Sequence, residues 1–172
     1  MLVHRELSGV RGQSGLTLIE TMVSCLILTV VVLFMAQLFG LVIVMNKNNG
    51  SDATKAVVVA QAKLEELAIL SFSDTTSDTA VDPPASTGGA GLAGGGSLTT
   101  RTAHYIDFVD VNGAKVTVPN DLSTPSTAAY VRLWQIVDDS ATLKRILVSA
   151  TSVRSFQNGA APSTTLVTYK SQ

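Results

Sequence analysis

From Thr21 to Asn46 the chain carries no charged residue, and the flanking charges are Glu20 and Lys47. A helix of roughly 20 apolar residues crosses the hydrocarbon core of a bilayer, so this run is long enough to span one. It holds no proline to force a kink, and its many Leu, Met and Ala residues favour helix. Of the 172 residues, roughly 100–130 remain for a soluble part, which is one small domain.

Glu20 does not fit an ordinary membrane anchor. It sits at the lip of the apolar run, with Leu16, Leu18 and Ile19 on its other side. A carboxylate inside a span costs on the order of 2–3 kcal/mol, so it reads as functional and needs a partner. Cutting the chain after Gly15 creates such a partner, because Leu16 then carries a new α-amino group.

Gly15-Leu16-Thr17-Leu18-Ile19-Glu20, followed by an apolar helix, resembles the processing site of the type IV pilin superfamily. That superfamily includes major and minor pilins and the pseudopilins of type II secretion. Leu16 stands where the family pattern most often has Phe. The resemblance implies cleavage after Gly15 by a prepilin peptidase, N-methylation of Leu16, and pairing of Glu20 with the N-terminal amine of a neighbouring subunit in a helical filament. A secretory signal peptide has a shorter apolar core and a nearby small-x-small site; here Ala60-Gln61-Ala62 lies far downstream. A plain signal anchor leaves Glu20 and the six-residue string unexplained.

Residues 1–15 read as a short leader. Arg5 and Arg11 favour a cytoplasmic side only weakly, because Lys47 and Lys55 flank the other end. The resemblance is what implies a cytoplasmic N-terminus. The leader also holds Glu6, so processing takes the formal net charge from −1 to −2. No basic surplus points to nucleic acid. Cys25 is the single cysteine, so no intramolecular disulfide is possible and the residue reads as a small apolar filler. The soluble part must hold by packing.

Behind the span, residues 46–51 form a polar soft spot. Ala53, Val57, Ala60, Leu64 and Leu67 then recur at helical spacing, with Lys55, Gln61, Lys63, Glu65 and Glu66 on other faces. A helix over residues 16–70 is roughly 80 Å long. Residues 71–100 are rich in Ser, Thr, Asp, Gly and Ala and read as a long loop, mobile in part. Its Gly89–Gly94 string fits a dinucleotide fingerprint in letters but lacks the flanking strand and helix. Asp74, Asp78 and Asp82 match no compact calcium loop, and Asn49-Gly50-Ser51 is a chance sequon.

The remainder reads as antiparallel sheet over residues 104–170. Strands over 105–111 and 114–118 flank Asn112-Gly113, a strong hairpin signal. A second hairpin joins 130–137 to 142–151 across Asp138-Asp139-Ser140-Ala141. A last strand covers 164–169 after a turn at Asn158-Gly159. Trp134 reads as core packed on Leu64 and Leu67. The second hairpin is also similar, more loosely, to that of some minor pilins and pseudopilins.

No enzyme is legible. The histidines are His4 and His104, too few for an ordinary zinc site, and no nucleophile or phosphate-loop string occurs. His104 reads as a surface residue, and Asp138 and Asp139 as turn residues. No cofactor, metal or catalytic residue is expected.

The expected fold is α+β: a long N-terminal helix, membrane-spanning in its first half, packed on a small antiparallel sheet, as in type IV pilins. The expected organisation is a leader at 1–15, a membrane or filament-core helix at 16–45, an amphipathic continuation at 46–70 and a globular part at 71–172. The expected role is a filament subunit, a minor pilin ahead of a type II secretion pseudopilin. The lack of a disulfide and of a proline in the span favours the minor pilin. The processing residues are Gly15 and Leu16, and the assembly residue is Glu20. The implied partners are other pilin or pseudopilin subunits, the prepilin peptidase, an inner-membrane assembly platform and lipid. The location is the bacterial inner membrane, then a periplasmic or surface filament. A signal-anchored periplasmic binding domain and a secreted enzyme are the readings from other classes.

Overall fold

Thr17 opens helix α1 (Leu18–Ile69) in the computed structural model, which describes residues 17–82, 84–85, 88–153 and 161–172. The chain divides into two units, Met1–Met45 and Asn46–Gln172. In the first, the helix exposes its apolar side chains all round, as a segment solvated by lipid does. Thr21 and Thr29 donate their hydroxyls to the carbonyls of Leu18 and Cys25, both at 2.8 Å. These polar groups therefore need no partner from the solvent. Cys25 is exposed and unpaired.

In the second unit α1 continues through Asn46–Gly50 without a break, so the polar soft spot does not loosen the helix. The buried face is Ala56, Val59, Ala60, Lys63 and Leu67. That differs from the expected stripe: Ala53 and Val57 are exposed and Leu64 is half-buried. Lys63 is the reason. It reads as a solvated residue but is withdrawn from solvent onto the sheet, and the buried face turns with it. At the helix end Lys170 donates to the carbonyl of Ala68 at 2.6 Å, a cation placed where the helix dipole favours one.

The sheet contains β1 (Gly95–Gly96), β2 (Ile106–Val109), β3 (Lys115–Val116), β4 (Tyr130–Ser140), β5 (Leu143–Ser152) and β6 (Ser163–Ser171). Its order is β3-β2-β4-β5-β6, with β1 also on β4, and all pairings are antiparallel. This is the expected α+β architecture, one long N-terminal helix and an antiparallel sheet. On β4 the residues Tyr130, Arg132, Trp134 and Ile136 alternate inward. With Ile146, Val148 and Ala150 of β5 they make the core that the helix face covers. Trp134 is fully buried, as the sequence suggested, with Leu67 in the same cluster.

Three expectations need correction. The first hairpin is real, but its turn is not the two residues Asn112-Gly113. Asp110 and Ala114 close a three-residue loop with Gly113 left-handed at φ 84°, the geometry of a type I turn with a following bulge. The Asp110 carboxylate accepts the amides of Asn112 and Ala114 at 2.8 and 2.9 Å, which shortens both strands. In the second hairpin Asp138 and Asp139 are not turn residues. β4 runs through them to Ser140 with a register shift, because Asp138 meets Lys144 at 3.3 Å and Asp139 meets Arg145 at 3.1 Å across the ladder. The tight turn is Ala141-Thr142.

The third correction concerns residues 71–100, whose described part is pinned to the sheet. Leu92, Thr79 and Ala80 are buried. Asp74 accepts the Ser77 hydroxyl at 2.6 Å and the amides of Thr76 and Ser77 at 3.0 Å, and these bonds hold its carboxyl below the usual value. Lys144 donates to the Leu92 carbonyl at 2.6 Å and Tyr105 to the Ala93 carbonyl at 3.0 Å. Gly95-Gly96 then pairs with Ile136 and Gln135, so the sheet begins before residue 104. A Cβ on Gly96 would stand 2.2 Å from the Trp134 carbonyl oxygen, which is why only glycine fits there. The turn expected at Asn158-Gly159 lies outside the described residues.

Candidate functional site

Two constellations carry the physics: the start of α1 and a buried ion cluster. At the start, Thr17 is the N-cap. Its hydroxyl and carbonyl both face the amide of Glu20, at 3.4 and 3.0 Å. Thr17-x-x-Glu20 is the capping-box order, and an acidic residue in the first turn suits the positive end of the helix dipole. Glu20 is exposed, and among the described residues it takes part in no ion pair of its own chain. Gly15 and Leu16, the expected processing residues, lie outside the described residues.

The ion cluster was not legible as a unit. Asp107 of β2 stands opposite Arg132 of β4. Arg132 donates from Nε and from a terminal nitrogen to the two carboxylate oxygens, each at 2.7 Å, and its other terminal nitrogen reaches the Val59 carbonyl at 3.1 Å. Lys63 adds a third contact, 3.0 Å from the same carboxylate. Its ammonium also donates to the Thr79 carbonyl and lies 4.0 Å from the centre of the Trp134 ring. Glu66 bridges outward to Lys63 at 3.2 Å and to Lys115 at 2.8 Å.

Burial pushes the Asp107 carboxyl up, but the Lys63 ammonium and the Arg132 guanidinium outweigh it and hold the group below the ordinary value. Burial lowers Lys63, against the opposing pull of Asp107 and Glu66. This arrangement clamps helix to sheet; every charge in it is already met, so it offers no open position for a ligand. A signal for it existed in the sequence. Arg132 and Asp107 are charges at inward positions of alternating strands, where an unpaired charge is too costly to persist.

Other expected residues are dispersed. His104 is exposed, with φ 68°. Asp74 and Asp78 spend carboxylate oxygens on neighbouring loop amides, and among the described residues no three His, Cys, Asp or Glu side chains gather as a metal site.

Helix α1 is long and apolar enough to cross a membrane, and Cys25, the single cysteine, is free. The prokaryotic N-terminal methylation motif matches residues 10–36, a window that contains Gly15, Leu16, Glu20 and the first part of the span, and over that window the chain is similar to type IV pilin-like prepilins. No curated protein and no solved structure matches it. The motif and the apolar helix fit inner-membrane anchoring, processing by a prepilin peptidase and assembly with other pilins.

Proposed function

We propose that this chain is a minor pilin of a type IV pilus-like filament. It enters the inner membrane with its N-terminus in the cytoplasm, is cut between Gly15 and Leu16, and is methylated on the Leu16 amine. An inner-membrane platform then moves it into the fibre. The observation that supports this most is the methylation motif running directly into a charge-free helix with Glu20 in its first turn. Burial of residues 21–45 among like helices supplies cohesion. Glu20 supplies registry, because its carboxylate finds a cation only when a neighbour's N-terminal amine meets it. No catalytic role is proposed.

The test is mass spectrometry of sheared surface filaments and of membranes from the native host. A methylated Leu16 start, present in filaments at a low ratio to the main subunit, is the expected result. The same start at high ratio makes this the major subunit, and a Leu16 start confined to membranes favours a secretion pseudopilin. An intact Met1 overturns the filament reading.

A further inference from the structure

Gln37 places a primary amide roughly 5 Å from the centre of the charge-free run, at ~1.5 Å per residue. It is exposed, and hydrocarbon offers it neither a donor nor an acceptor. Thr21 and Thr29 satisfy their hydroxyls on their own helix, and Ser24 can turn onto the carbonyl one turn back in the same way. An amide carries two donors besides its acceptor oxygen, and among the described residues the Gln37 side chain bonds to none. One turn on stands Gly40. Glycine weakens a helix relative to alanine, and nothing in its own chain requires it here, since a Cβ on Gly40 would meet no atom within 4 Å. Leu26, Val30, Leu33, Gln37, Gly40 and Val44 alternate steps of four and three residues, all exposed. They form one stripe with the spacing of a two-helix seam. Beside Gln37 the stripe holds a groove of 170 Å³ lined by Val30, Leu33, Phe34 and Gln37, with room for a neighbour's apolar side chain.

We propose that this stripe is an interaction surface for the span of a second copy of this chain, parallel to the first and joined by Gln37 to Gln37. Two copies inserted with the same polarity are related by a two-fold axis along the membrane normal, so each residue near the axis meets its own copy at one depth. An amide is self-complementary in that arrangement: each side-chain nitrogen donates to the other copy's carbonyl oxygen. A second copy therefore brings the missing donor and acceptor to the level where they are needed. Gly40 lets the two backbones approach closely enough for the amides to meet, and polar side chains of this kind hold spans together in lipid. A single polar residue in such a seam also fixes its register. Glu20 lies roughly 100° around the helix from Gln37, at ~100° per residue, so the pairing leaves its carboxylate outside the seam. The pairing rests on α1 crossing a membrane and not on cleavage or entry into a fibre, so an intact Met1 would leave it standing.

Sedimentation equilibrium of the full chain in detergent micelles tests the amide, and cysteine cross-linking tests the face. The wild-type chain is expected to sediment as a dimer. Gln37→Leu, which keeps the bulk and removes the amide, is expected to raise the dissociation constant roughly tenfold, and Gln37→Asn, which keeps an amide, is expected to restore most of the dimer. For cross-linking, single cysteines are placed in the full chain carrying Cys25→Ser and treated with a lipid-soluble oxidant. Val30→Cys lies on the seam, where its copies come within disulfide reach, and is expected to give a covalent dimer. Leu28→Cys lies roughly 180° from Gln37, at ~100° per residue, and is expected to stay monomeric. A monomeric wild-type chain, a Gln37→Leu dimer as tight as wild type, or Leu28→Cys linking as readily as Val30→Cys overturns the proposal. So does Val30→Cys linking in native membranes only to a different polypeptide, which assigns the stripe to another subunit.

Discussion

Asp107 and Arg132 face each other across β2 and β4 through two hydrogen bonds of 2.7 Å, with both side chains withdrawn from solvent. Removing one member of a buried pair leaves the other uncompensated, at roughly 3–5 kcal/mol. Asp107→Ala is expected to lose that much, because it strands both Arg132 and Lys63. Lys63→Met leaves the Asp107–Arg132 pair intact and covers Trp134 with an apolar chain, so its cost is expected to be smaller, about 1 kcal/mol. Urea unfolding of the full chain in micelles, followed by Trp134 fluorescence, checks the order. Equal losses refute the assignment of Arg132 as the principal partner.

The pH dependence follows from the same carboxylate. Asp107 has a folded pKa below its ordinary 3.8. Its ionised form therefore contributes stability that is fully present above 3.8 and is lost as pH falls through the lowered folded value. Stability traced to this group is expected to stay flat from neutral pH to about 4 and to fall below it. Asp107→Asn, less stable at neutral pH, should lack that portion of the acid limb. An identical acid limb in wild type and variant would falsify the linkage.

Gly96 and Gly113 both have positive φ, at 81° and 84°, but differ in surroundings. A Cβ on Gly113 meets nothing within 4 Å, whereas one on Gly96 runs into the Trp134 carbonyl. Gly113→Ala is expected to cost only left-handed strain, about 1–2 kcal/mol. Gly96→Ala adds a backbone clash and should exceed it, detaching β1 from β4. Thermal unfolding of the two variants side by side decides this, and equal midpoints would contradict the close approach.

Glu20→Ala is expected to be processed normally but to enter filaments at least about tenfold less well, since a charge pair in lipid outweighs 1.4 kcal/mol. Gly15→Leu is expected to block cleavage and leave precursor in the membrane. Immunoblots of sheared filaments and membranes read both. Wild-type incorporation of Glu20→Ala removes the registry role, and mature protein from Gly15→Leu rules out the site.

The helix, the two hairpins and the buried tryptophan were readable because each rests on a local signal: a charge-free run, Asn-Gly between β-formers, an inward position on a strand. What was misread depends on which partners the fold brings to each residue, near or far in sequence. Lys63 looks solvated until Asp107, far along the chain, is known to sit above it. Asp138 and Asp139 look like turn residues until Lys144 and Arg145 are known to lie opposite. The glycine-rich stretch looks unstructured because its order comes from Lys144, Tyr105 and the β4 backbone. The helix was expected from residue 16, and the described helix runs from Leu18 with Thr17 as its cap, a role not read from the sequence.

The clamp on Lys63 also makes the seating of α1 all-or-none. A purely greasy stripe of Ala and Val can slide along a sheet, exchanging one apolar contact for another. Moving this helix by a single turn, about 5.4 Å, would carry the Lys63 ammonium away from Asp107 and the Val59 carbonyl away from Arg132, with no replacement of like charge one turn behind, since Val59 and Leu67 flank Lys63 along that face. When such a helix is drawn lengthwise, the sheet therefore travels with it or comes off, and it does not creep.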